Sequence, residues 1–144
     1  MAFKYTVTDQ SDIYFITTTV VGWIDAFTRK ELAEVIIESL RYCQSEKGLI
    51  IYAWCLMPSH LHMIVSAKET YKLSDIIRDF KKFTSKKIIK TIQEINESRE
   101  WLLDKFSFAA RINMKNKEFT KSYYHSSHIS TSFCLRLWHI HSKK

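Results

Sequence analysis

The chain has 144 residues, 46% of them hydrophobic and 14% aromatic, which suits one domain with its own core and excludes a disordered segment. Its 22 Lys and Arg against 15 Asp and Glu leave a formal net charge of +7. That excess favours a polyanionic partner, nucleic acid first, although a basic surface also serves solubility alone. Cys43, Cys55 and Cys134 are an odd count without paired spacing, so a disulfide scaffold is excluded and a reducing, cytoplasmic setting is expected, with Cys43 and Cys55 as buried thiols. No apolar run approaches a membrane span, and no signal-peptide pattern opens the chain.

Residues 13–21 are aromatic and β-branched and predict a buried strand ended by Gly22. Thr28 followed three residues later by Glu31 has the form of a capping box, and a helix to about residue 47 follows. Leu32, Val35, Ile36, Leu40 and Cys43 form its apolar stripe, and Gly48 stops it. Residues 49–56 and 61–66 predict two more strands, joined as a hairpin through Met57, Pro58 and Ser59. A helix over residues 74–92 places Ile76, Ile77, Phe80, Phe83, Ile88 and Ile92 on one face. Its other face carries Arg78, Lys81, Lys82, Lys86, Lys87 and Lys90, a ridge that would suit phosphates or simply be solvated. Residues 96–110 predict a third amphipathic helix on Trp101, Leu102, Phe106 and Phe108. The order strand–helix–strand–strand–helix is most of a ferredoxin-like split β-α-β unit, an α+β antiparallel sheet with helices on one face. Residues 132–140 have strand-like content and would supply an edge strand.

His60 and His62 are the most informative pair. Pro58 and Ser59 break the chain just before an apolar run in which His62 is the polar exception. Alternation along a strand turns both imidazoles to one side, roughly 6–7 Å apart along the backbone, with Leu61 and Met63 turned into a core. Such a pair suits one metal ion. Two half-buried histidines bonded to their neighbours would give the same spacing.

The segment Met57-Pro58-Ser59-His60-Leu61-His62-Met63-Ile64-Val65 resembles the "M-P-N-H-x-H" signature of single-tyrosine HUH transposases of insertion sequences, in particular those associated with repetitive extragenic palindromes. The strand containing Phe15 to Val20, and Leu73 to Ser85 with Lys86, agree with that resemblance, which covers about residues 1–119. It implies cleavage and rejoining of single-stranded DNA beside a hairpin, through a tyrosine bonded to a 5′-phosphate. It also implies a Mg²⁺ or Mn²⁺ ion on His60 and His62, phosphate contacts from Arg78, Lys82 and Lys86, and a monomer or a homodimer with shared sites. Imidazoles alone would argue more readily for a softer transition metal.

The tail, residues 120–144, departs from the family. Only Thr120, Lys121, Ser122 and Tyr123 separate Phe119 from Tyr124, too few for the strand, turn and helix that precede the family's tyrosine. From Phe119 onward there are 6 serines and 4 histidines and no Asp or Glu. Under one reading Tyr124 is a displaced nucleophile and His128, one helical turn on, a third metal ligand. Under the other the tail is the product of a frameshift or truncation, and the domain is an inactive transposase. A non-catalytic ferredoxin-like nucleic-acid-binding domain is the alternative function, since an open sheet with aromatics stacks bases without a metal.

Overall fold

The computed structural model describes residues 12–95, 98–118 and 135–141. Strand β1 (Tyr14–Val20) leads through two short 3₁₀ turns, Val21–Trp23 and Ala26–Thr28, to helix α1 (Lys30–Glu46). Strands β2 (Leu49–Leu56) and β3 (His60–Ala67) form the hairpin. Helices α2 (Leu73–Glu94) and α3 (Trp101–Glu118) precede strand β4 (Leu135–His141). The sheet order is β2-β3-β1-β4, with every neighbouring pair antiparallel. That order is consistent with the expected ferredoxin-like plan, and the edge strand expected from residues 132–140 pairs with β1.

One face of the sheet is covered by helices. Tyr14, Ile16, Thr18 and Val20 of β1 alternate into it, as do Leu61, Met63, Val65 and Ala67 of β3. Leu32, Val35, Ile36, Leu40 and Cys43 of α1, and Leu73, Ile76, Ile77, Phe80, Ile88 and Ile92 of α2, complete the core with Leu102 and Phe106 of α3. The buried hydroxyls of Ser39, Thr84 and Ser85 donate to the carbonyls of Val35, Phe80 and Lys81 within their own helices, so they sit in the core without an unmet bond.

Burial also fixes which way the histidines face. A one-residue slip of β3 would expose Leu61, Met63 and Val65 and bury the opposite set. At roughly 1.5–3 kcal/mol per large apolar side chain, the slipped register loses on the order of 5 kcal/mol or more.

Several local expectations change. The capping box does not form: Thr28 Oγ1 donates to Asp25 O at 2.8 Å, and α1 has Arg29 as its N-cap with no side-chain cap bond. The 3₁₀ turn before the helix takes the hydroxyl that the box would need. Helix α3 begins at Trp101 instead of residue 96, because the chain just before it is tied elsewhere. Arg29 Nη2 donates to Ser98 Oγ at 2.8 Å, and Arg99 Nη1 donates to Asp25 O at 2.9 Å. Phe83, Trp101 and Phe108 are exposed, and Cys55 is an exposed thiol. Helical spacing placed those rings near the apolar stripe, but the covered arc is narrower than the spacing allowed.

Candidate metal centre

Strand alternation sets His60 and His62 on the face of β3 away from the helices, over buried Leu61 and Met63. The turn before them is held from several sides. Met57 N–H donates to His60 O at 2.7 Å, Val20 N–H to Ser59 O at 2.8 Å, and Phe27 N–H to Pro58 O at 2.9 Å.

The two imidazoles stand with centroids 4.7 Å apart and planes at 80°. His62 Nδ1 lies 2.8 Å from Thr17 Oγ1, and His60 Nδ1 lies 3.1 Å from Ser59 Oγ. Each hydroxyl fixes a ring's rotation and occupies Nδ1. Each Nε2 is then without a partner among the described residues and available to a ligand. Partial burial, and then the neighbouring His60, push the His62 pKa below its ordinary value of 6.5. The neutral imidazole, the form that binds metal, is favoured as a result.

The neighbours on this face follow from the register. Thr17 is opposite His62 and Thr19 opposite His60, while Cys55 of β2 is opposite His62 from the other side. Cys55 owes that position to an irregularity between Ile51 and Ala53, where Tyr52 is an extra residue. Without it Trp54 would stand opposite His62. The bulge instead brings a small side chain there. Phe15 stacks on His62 with centroids 5.5 Å apart and planes at 21°, and Trp23 meets His60 edge-on at 5.6 Å.

As a test of the implied ion, this donor set fits in part. Two imidazoles side by side match two positions of a divalent cation. Among the described residues no group of three His, Cys, Asp or Glu side chains could hold a metal. Nitrogen donors without a carboxylate favour Mn²⁺ over Mg²⁺. Tyr124 and His128 lie outside the described residues.

The basic residues are not gathered with the histidines. Arg78 is engaged by Asp75 Oδ1 at 2.7 Å and by Asp79 Oδ1 at 3.2 Å. Lys82 and Lys86 are exposed on α2, with no ion pair among the described residues. They sit opposite the α2 residues buried against the core, Phe80, Thr84 and Ile88, so they lie on the far side of the helix layer from the histidine face. Thr17, Ser59, Phe15, Trp23 and Cys55 were not expected at the site. Only Ser59, adjacent to His60 in the motif, carried a sequence signal; the rest depend on strand register and on the path of a turn.

A family model described as "Transposase IS200 like" matches residues 24–127, which takes in the histidine motif and extends past Tyr124. Among solved structures, the crystal structure of a "putative transposase" from Deinococcus radiodurans R1 is similar in fold. Its TM-score is 0.50 at 15% identity, over 65% of this chain and 72% of that one. No curated protein matches the chain.

Proposed function

The chain belongs to the IS200-like transposase family, and from that premise we propose that it cleaves and rejoins single-stranded DNA beside a hairpin through a tyrosine–DNA ester. The observation that carries this reading is the His60 and His62 pair, half-buried on one face of β3, with both Nδ1 atoms tied to hydroxyls and neither Nε2 atom partnered among the described residues.

In the proposed reaction the Tyr124 oxygen attacks the scissile phosphorus. The bond to the 3′-oxygen breaks, a 5′-phosphotyrosyl ester forms, and the tyrosine proton leaves to solvent while the 3′-oxygen takes one up. A 3′-hydroxyl then attacks the ester, restores a phosphodiester and releases the tyrosine, so no external energy source is needed. Tyrosine is a weak nucleophile at its ordinary pKa of about 10. A divalent ion, when bound, supplies charge that polarises the phosphate oxygens. His60 and His62 are the residues that would hold it, with His128 proposed as a third ligand. Thr17 and Ser59 keep the two rings aimed. Lys82 and Lys86 contact the DNA backbone away from the reacting phosphate, and Arg78 contributes only by exchanging its carboxylate partners for phosphate.

Incubation with hairpin-bearing single strands and Mn²⁺ tests the reading. The expected result is a protein–DNA adduct that survives denaturation, maps to Tyr124 by mass spectrometry and is lost in Tyr124→Phe and in His60→Ala. DNA binding without any adduct would leave the non-catalytic binding domain as the function.

A further inference from the structure

Trp23 occupies an unusual place. It follows Gly22, and both are in the left-handed region, with φ of 69° and 56°. Trp23 is the one non-glycine with positive φ among the described residues, a conformation that disfavours bulky side chains. Packing does not account for it, since the side chain is 68% exposed.

The turn that presents it is firmly fixed. On one side Val20 N–H bonds Ser59 O, on the other Phe27 N–H bonds Pro58 O, and Ile24, Ala26 and Phe27 are buried. Trp23 is thereby tied to the same Pro58–Ser59 turn that positions His60. The result is a row of four rings along the face of the sheet that carries the histidines. Trp23 lies 5.6 Å from His60, His60 4.7 Å from His62, and His62 5.5 Å from Phe15. The other exposed rings differ. Tyr42, Trp101, Phe83 and Phe108 are on helices, and Lys105 Nζ sits 6.0 Å from the Trp101 ring. Tyr52 and Trp54 are on β2, where the Tyr52 hydroxyl is bonded to Ser66, and Tyr71 lies against Gly48. None of them is held in a left-handed backbone.

We infer that Trp23 is a nucleobase platform, stacking one base of a DNA single strand beside the phosphate held at His60 and His62. The ligand class rests on the function proposed above. The placement rests on the ring row and on the turn. An indole offers a large flat face, stacking tolerates any base, and a strand bound this way has its backbone registered against the histidines. The family match begins at residue 24, so this position lies outside it.

The test is equilibrium binding of a hairpin with a fluorescent single-stranded extension, in EDTA so that no strand is cut. Trp23→Asn removes the ring while tolerating left-handed backbone, and Trp23→Phe restores a stacking surface. The expected loss for Trp23→Asn is roughly tenfold to a hundredfold in affinity, with Trp23→Phe recovering most of it and thermal melts unchanged. A scan of abasic positions along the extension should find one that weakens the wild type by a similar factor and leaves Trp23→Asn unaffected. Equal affinity of Trp23→Asn and wild type, or losses that simply add at every abasic position, would overturn the inference. So would a change in solution mass of Trp23→Asn, which would assign the ring to a contact with a second copy. A wild type that forms the tyrosine adduct beside an unaffected Trp23→Asn removes this inference alone, whereas a wild type that binds no DNA removes the proposed function as well.

Discussion

At His62 a proton and the proposed metal ion would compete for the same ring. Its pKa is lowered by partial burial and then by His60, so the folded state binds fewer protons than the unfolded chain just below pH 6.5. Stability therefore rises with pH in that window, is complete above the unfolded value, and is lost as pH falls through the lowered one. Thermal melts of the metal-free protein between pH 5 and 8 should show wild type losing stability on acidification more steeply than His62→Asn. A wild type that gains stability on acidification would reverse the sign. The sequence showed the pair but not the hydroxyls that orient it, because Thr17 and His62 are 45 positions apart and meet only through strand register. The cysteines make the same point. Both sit in apolar patterns, yet Cys43 is buried, which pushes its thiol up to about 11, while Cys55 is exposed. Periodicity finds the faces of a strand without saying which face is covered.

At the scale of elements, Gly48 is where two of them meet. It ends α1 with φ 70°, and a Cβ there would overlap the Tyr71 ring. Gly48→Ala should therefore destabilise by about 1–2 kcal/mol from the left-handed backbone alone, with more from displacement of Tyr71. Urea denaturation checks this, and Tyr71→Ala in the same chain should restore only the steric part. An unchanged midpoint in Gly48→Ala would show that the turn relaxes freely. Helix α1 and the β2–β3 hairpin were legible because periodicity, Gly48 and Pro58 agree. The start of α3 was not, since the preceding chain is pinned to a distant turn, Ser98 by Arg29 and Arg99 by the carbonyl of Asp25. The bulge at Tyr52 was equally hidden, although it decides that Cys55 and not Trp54 flanks His62.

Across the whole molecule, the histidines and the exposed lysines of α2 lie on opposite sides of the two-layer fold. A strand that touches both would have to pass around an edge, so in the proposed function the lysines act on affinity and not on the reacting phosphate. Among the described residues no helix is long and apolar enough to cross a membrane. Lys82→Ala with Lys86→Ala should lower affinity for single-stranded DNA uniformly across sequences and reduce the salt dependence by a slope of about 1–1.5. An unchanged slope would place the DNA path elsewhere. The net charge of +7 pointed to such a partner, but the Asp75 and Asp79 pairing that engages Arg78 became visible only in the fold.

Calorimetric titration with Mn²⁺ in the absence of DNA, on wild type, His60→Ala, His62→Ala and the double variant, bears on the site most directly. Two imidazoles acting on one ion predict a single Mn²⁺ per chain, tighter than Mg²⁺ and weakening below pH 6.5. Loss in either single variant should be nearly as large as in the double. Mn²⁺ binding of the same strength in the double variant would contradict the account.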